Sequence, residues 1–501
     1  MATGDARDLR RYGWLAPLVT LPAIALYYWW RYRDAVGLFF ALDDFWVLEN
    51  TARIHLQTLA DVSEFFRPGH NKFLLYRPLT TVGYFFVLRL LFGYDSSGYH
   101  ATQLLMHALN AWLVWLIVRR EVESESAAWA AMLIYAAAPG HSGAIFPLCN
   151  FTMTGSVTPL LVLVWLWLRT EGRSRAVLCT IVQAVALLAS EHAIVGPLLL
   201  GVVACFGRRR NSRRRAMTDI MGPIVLTAMY VLAKVYYLTV VRPLHVGESC
   251  APGLNVWRWL VQVGGYASAC VDVLALLPLG ERTLAAGGTL IIGLTTYVAW
   301  RTWRGDDRYR LLALGMMLFL ASLAVVVPLG DHFFAHYIGV AALGAALAAI
   351  GLCQSTTRRW RPAIVAVAIG LVAVDVASGG RAARTDPVYT LYRGAAEWSA
   401  RWVYAVENAA SSPSVREVLV PRSELTGYVF GLGRADALFL NRPKLVTLYG
   451  ANAEPRARVD QVVLREPPDP IPAMAPLPGW HARFDWLRRV AGRNVRLNEA
   501  Q

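Results

Sequence analysis

Phe39-Phe40-Ala41-Leu42-Asp43-Asp44-Phe45-Trp46 sets two adjacent carboxylates in an apolar and aromatic surround, a few residues beyond the first long apolar run of the chain. An ionised carboxylate at mid-bilayer costs on the order of 2.5–3.5 kcal/mol, so such a pair belongs at an interface or in a wet cavity. Two readings follow. The pair is an active site at a membrane surface, or it is an anchor that fixes a loop at the headgroup level. Neighbouring residues face about 100° apart on a helix and alternate on a strand, so both acids cannot point one way. That leaves one to face a substrate and the other to hold the loop or a metal.

The surrounding composition makes the membrane setting explicit. Of 501 residues, 56% are hydrophobic and 17% charged, and the mean hydropathy is +0.40. A soluble domain carries about 25% charge. The net charge of +15 does not point to nucleic acid, because the excess lies in short arginine clusters between apolar segments and no basic face is interleaved with exposed aromatics. The lipid bilayer is the expected partner and nucleic acid is not. The six cysteines show no CxxC or metal-ligand spacing, which argues against structural zinc and against a disulfide framework. Residues 14–30 follow Arg10-Arg11 without a small-x-small cleavage site, so they read as a retained helix.

A bilayer core takes roughly 20 apolar residues per crossing, which yields about eleven crossings here. They are expected at 14–30, 99–118, 127–138, 151–168, 176–189, 193–206, 218–241, 287–303, 311–329, 338–353 and 362–377. Arginine clusters such as Arg119-Arg120, Arg208-Arg209-Arg210 and Arg358-Arg359 mark the cytoplasmic ends and put the N-terminus inside and the tail outside. The segment 254–278 is apolar, but the arginine parity holds only if it does not cross. Residues 78–92, opened by Pro78 and interrupted by Arg89, read as an interfacial helix. Along 99–118, His100, Gln103, His107 and Asn110 recur at helical spacing, a stripe best read as interhelical hydrogen bonding.

From Gly379 the apolar runs shorten. An amphipathic helix is expected over 391–409, with Tyr392, Ala395, Trp398, Trp402 and Val406 apolar. Strands are expected at 415–420 and 444–449, flanking a helix at 424–440. The fold class is therefore an all-α polytopic membrane protein with a small C-terminal α/β extracytoplasmic domain. Residues 1–378 form the transmembrane domain, with a first outer loop at 31–98, and 379–501 form the outer domain.

This topology sorts the polar residues by side. Asp43, Asp44, Glu49, Arg77, His141, Glu191, His192, Asp331, His332 and His336 all fall at outer ends or loops, whereas the inner loops are nearly all arginine. An outward-facing polar cavity follows. A carboxylate facing it can take a proton from an attacking hydroxyl, and Arg77 supplies a fork for phosphate oxygens. An acid, a cationic clamp and a membrane suit transfer of a sugar from a lipid-linked phosphate to a hydroxyl, through an oxocarbenium-like state.

The order of motifs resembles the GT-C superfamily of integral-membrane glycosyltransferases. It is most similar to the protein O-mannosyltransferase-like branch, which includes eukaryotic membrane proteins carrying tetratricopeptide repeats. The resemblance rests on Asp43-Asp44 with Glu49-Asn50, then Tyr76-Arg77-Pro78-Leu79-Thr80, Leu91-Phe92-Gly93-Tyr94, Gly98-Tyr99-His100, and His107, Leu109 and Asn110, covering roughly 39–120. Weaker echoes are Ala138-Pro139-Gly140-His141, Ser190-Glu191 with Pro197, and His336-Tyr337. The resemblance implies a polyprenyl-phosphate-linked sugar donor, a hydroxyl-bearing acceptor (protein, glycan or lipid) and chemistry on the outer face. It implies that one of Asp43 and Asp44 is the general base, with Asp43 preferred. Arg77, His141, Glu191, His332 and His336 would bind the donor phosphate or the acceptor. The sequence leaves metal dependence open, and a divalent metal, if one takes part, would sit at Asp43 and Asp44. The setting it implies is the bacterial inner membrane.

Several positions depart from the family pattern. Phe146 stands where an acid is common, Thr154-Gly155-Ser156 replaces an Arg-x-Asp pair, and Ser190-Glu191 replaces Lys-Glu. His336 occupies the place of an arginine, and the tail lacks the tetratricopeptide repeats. The alternatives are a polytopic transporter, whose inverted repeats and broken helices are not seen, and a catalytically inactive cell-envelope scaffold.

Overall fold

The structure, a computed structural model, describes residues 15–52, 54, 59–66, 76–208, 213–237, 253–271, 279–329 and 335–356. In the C-terminal part it describes 370, 373, 390, 392–397, 399–401, 403, 417–420, 446–449 and 461–463. Among the described residues six helices are long and apolar enough to cross a bilayer: Ser96–Val122, Leu148–Arg169, Gly172–Ala189, Arg215–Tyr236, Glu281–Trp303 and His336–Ser355. The chain is a helical membrane protein. Five of the six cover an expected crossing, and Arg215–Tyr236 overlaps the one expected at 218–241. Four further expected crossings are helices outside that class: Leu15–Val36, Glu125–Ala137, Gly196–Phe206 and Arg310–Leu323. Of the expected crossing at 362–377, only 370 and 373 are described, both helical. Helix Val256–Ala269 has 14 residues and lies within the apolar segment 254–278.

The residues fall into two compact units. The first comprises Met1–Arg33, Ala101–His141 and Met153–Ala382. Its lipid-compatible surfaces follow from helical spacing: in Arg215–Tyr236, Met217, Met221, Val225, Met229 and Leu232 are exposed, while Ala216, Asp219, Ile220 and Thr227 are buried. An apolar stripe is left outward, and Asp219 and Thr227 are turned inward. Two helix pairs approach backbone to backbone. A Cβ on Gly264 would lie 2.0 Å from the Leu284 carbonyl oxygen, and one on Gly288 would lie 2.1 Å from that of Leu260, so Val256–Ala269 and Glu281–Trp303 meet through bare glycine. Gly315 and Gly344 do the same for Arg310–Leu323 and Gly339–Ser355, where added Cβ atoms would lie 2.2 Å from Ala348 N and 2.4 Å from Phe319 N. Small residues at such crossings allow the close van der Waals contact that drives association in lipid.

Charged residues that read as plain topology markers make specific buried bonds in this unit. Arg175 pairs with Asp219 at 3.3 Å and donates through Nε to the Thr170 carbonyl at 2.7 Å. Glu121 is buried. It accepts from Arg310 and from the Arg208 backbone N–H at 2.6 Å, while Arg310 also reaches the Phe206 carbonyl at 3.0 Å. A carboxylate so enclosed requires these donors, since an unpaired buried charge is costly. Two residues of the expected polar stripe, His107 and Asn110, bond between helices. His107 Nε2 lies 2.9 Å from Thr154 Oγ1, Asn110 donates to the Thr154 carbonyl at 3.3 Å, and Thr158 donates to Asn110 Oδ1 at 2.7 Å.

The second unit comprises Asp34–His100, Ser142–Thr152 and Ala383–Gln501. Helix Asp44–Ala52 packs against a π-helical turn, Pro78–Gly83, that runs on into Tyr84–Phe92. Pro78 opens the turn, where its missing N–H is harmless. Ile54, Val82, Phe86 and Phe65 form a small core, and Arg89 donates to the Ile54 carbonyl at 3.1 Å. The other side of Tyr84–Phe92 leaves Val87, Leu90 and Leu91 exposed. Three short strands, β1 (Glu417–Val420), β2 (Val446–Tyr449) and β3 (Gln461–Val463), form a parallel sheet in the order β2-β1-β3, with Glu417 opposite Val446 and Gln461. β1 and β2 lie inside the expected strand segments. The expected helix at 424–440 lies outside the described residues.

Candidate functional site

The acid pair sits at the head of helix Asp44–Ala52 in the second unit. The chain enters through Leu42, which adopts φ 54°, a left-handed backbone that costs a non-glycine residue roughly 1–2 kcal/mol. The Asp43 carbonyl then accepts from Trp46 N at 3.1 Å and Val47 N at 3.3 Å. Asp43 is thus at the N-cap and Asp44 in the first turn, where the helix end favours negative charge. The turn splits the pair. Asp43 is exposed and Asp44 is fully buried, the division that two adjacent acids at a helix start require.

Asp44 is held by three donors from three stretches of chain. Its Oδ2 accepts from Ala41 N at 3.1 Å and from the Tyr392 hydroxyl. Its Oδ1 accepts from Cys149 N at 2.7 Å. Burial pushes its carboxyl up to about 7, against the pull of the Tyr392, Ala41 and Cys149 bonds and with a smaller push from the Asp43 charge. Tyr392 is itself buried, and its phenol is raised well above its ordinary range by burial and then by the Asp44 charge. The His100 ring meets Tyr392 edge-on, with centroids 6.3 Å apart.

Arg77 belongs to the same unit. Its carbonyl accepts from Thr80 N, Thr81 N and Thr81 Oγ1 at 3.2, 3.0 and 2.7 Å, which starts the 78–83 turn. Its Nη1 donates to Thr152 Oγ1 at 3.2 Å. The 148–152 stretch therefore serves both residues: Cys149 N meets Asp44, and Thr152 meets Arg77. Tyr84 stacks on Phe151, and Asn150 donates to the Gly143 carbonyl at 2.8 Å.

His141, Glu191 and His336 lie in the first unit. His141 is buried, with Nε2 2.9 Å from the Tyr135 carbonyl. Burial lowers it to about 4 against the lift of that bond, and the Arg31 charge lowers it further, so its imidazole is neutral at ordinary pH. Glu191 pairs with Lys234 at 2.9 Å. His336 and His192 flank the Tyr337 ring, at centroid distances of 4.6 and 4.4 Å, and line a small cavity with Ser156 and Ser322. His332 lies outside the described residues.

No family model matches the chain, and no curated protein does. The functional reading rests on the residues themselves. Among the described residues no three of His, Cys, Asp and Glu are grouped to hold a metal ion. Asp44 in particular has N–H and O–H donors turned onto both oxygens, a field suited to a carboxylate and opposed to a cation. Sequence reasoning missed Tyr392 and the 148–152 stretch as partners of the acid pair. Tyr392 was visible only as an apolar position on an amphipathic helix. A backbone N–H such as that of Cys149 leaves no residue-type signal at all.

Proposed function

We propose that the chain is a membrane glycosyltransferase of GT-C type, which moves a sugar from a polyprenyl-phosphate donor to a hydroxyl acceptor. The observation that carries the reading is the split acid pair: an exposed Asp43 beside a buried, triply bonded Asp44, in the same unit as Arg77. In this reading Asp43 is the general base. The acceptor oxygen bonds to the anomeric carbon as the bond from that carbon to the phosphate oxygen breaks. The bonding pair leaves with the phosphate, and the acceptor proton passes to Asp43. Arg77, steadied by Thr152, offsets charge on the leaving phosphate. Asp44 acts through its neighbour, fixing the helix start that presents Asp43.

The neutral, buried His141 and the Lys234-paired Glu191 suit a supporting role in the helical body better than direct phosphate contact. His336 and His332 remain candidates for the acceptor side. The same reading includes about eleven crossings, an inner-face N-terminus, an outer α/β domain over 379–501 and a bacterial plasma membrane. Its test is to incubate the purified protein in nanodiscs with polyprenyl-phosphate-linked sugars and a panel of alcohol, glycan and peptide acceptors. Glycosylated acceptor and free polyprenyl phosphate are expected in equal amounts. Movement of a solute across sealed vesicles, with every donor left intact, would replace this reading by the transporter one.

A further inference from the structure

We propose that Tyr392 is a positioning residue of the acid site: the helical residues 392–397 reach back to fix Asp44, so the C-terminal segment completes a site begun in the first outer loop. This rests on the glycosyltransferase reading for what the site does, and on geometry for how it is held.

The two residues are 348 positions apart, yet the Tyr392 hydroxyl donates to Asp44 Oδ2 and both side chains are buried. The helix that carries Tyr392 is one-sided. Tyr392, Ala395, Ala396, Ser399 and Val403 are buried, at spacings that share one face. Arg393, Glu397 and Arg401 are exposed, and Arg393 pairs with Glu397 at 2.8 Å on the outer side. Small residues bring that face close, and the large ring at its start carries its hydroxyl to the acid. Packing alone would be served by phenylalanine. The hydroxyl adds a third donor to a carboxylate that already has Ala41 N and Cys149 N, and removing one donor from a buried acceptor forfeits its desolvation. Asp43 is bonded to Asp44 through the peptide link and shares its helix start, so loosening Asp44 loosens the N-cap that presents Asp43.

The test compares full-length wild type, Tyr392→Phe, Asp44→Asn and the double variant. Tyr392→Phe keeps the ring and its burial. We expect it to lower kcat about tenfold while the donor KM stays within about twofold, and to add nothing in the Asp44→Asn background, because the hydroxyl acts through that carboxylate. Amide hydrogen exchange, which needs no turnover, is expected to quicken at Ala41 and Cys149 in Tyr392→Phe. Wild-type exchange at both amides would overturn the proposal, as would losses that add in the double variant. If the wild type transfers no sugar, the glycosyltransferase reading fails on its own, and the exchange result still decides whether Tyr392 holds Asp44. Should Tyr392→Phe not fold, the exchange pattern of Asp44→Asn serves instead: unchanged exchange at 392–397 would overturn the coupling.

Discussion

At the scale of single residues, the acid pair shows how a neighbouring peptide bond can separate two chemically identical groups. Asp43 is exposed and Asp44 buried, and the left-handed Leu42 makes that turn. In the folded protein the Asp44 carboxyl is pushed up to about 7 from an ordinary value of 3.8, so the folded state binds its proton more tightly than the unfolded chain does. The stability that this proton contributes is fully present below about pH 4 and is lost as pH rises through 7. The free energy of unfolding is therefore expected to be higher at pH 5 than at pH 8 by about 3 kcal/mol, seen as a higher thermal midpoint at pH 5. Asp44→Asn should flatten that slope. An unaltered slope in the variant would show that another group carries it. The split was legible in the sequence as a requirement of helix geometry, but which acid turned inward was not. The inward acid is bonded by partners distant in sequence, the Cys149 amide 105 positions away and the Tyr392 hydroxyl 348 positions away.

At the scale of elements, hydropathy located the helices well because lipid-facing stripes and arginine stops are local signals. Segments 99–118, 151–168 and 287–303 each fall within an observed long helix. What hydropathy could not show is which face of a helix meets another helix. Arg175, Arg208 and Arg310 read as loop markers, yet they bond to buried or partly buried partners. The glycine crossings are similar, since nothing local in Gly264 or Gly288 marks them off from Gly287 or Gly293. The structure does, because added Cβ atoms on the last two would meet nothing within 4 Å. Gly288→Val is accordingly expected to destabilise by about 1–3 kcal/mol through overpacking, seen as a lower thermal midpoint. Gly293→Ala should leave the midpoint unchanged or slightly raised. Equal effects at both positions would contradict the close crossing.

At the scale of the whole molecule, the chain carries a helical membrane body and, near the C-terminus, a small parallel sheet. The body was legible from composition, since 56% hydrophobic residues leave few soluble alternatives. The sheet was legible as two apolar runs, but its third strand, β3, was not, because Gln461-Val462-Val463 is too short to stand out. Sidedness offers one prediction. A reporter fused after Ala377 should be active only outside the cytoplasm and one inserted between Arg209 and Ser212 only inside; the reverse pattern would put the acid pair on the wrong face for an outer acceptor. The central claim is that Asp43 takes the acceptor proton during sugar transfer. It is tested most directly by following radiolabelled sugar from polyprenyl phosphate to acceptor in wild type and Asp43→Asn. A loss of about 10²–10⁴-fold in kcat is expected, with a thermal midpoint near wild type because asparagine caps a helix start about as well as aspartate does. Transfer by Asp43→Asn at the wild-type rate would contradict it.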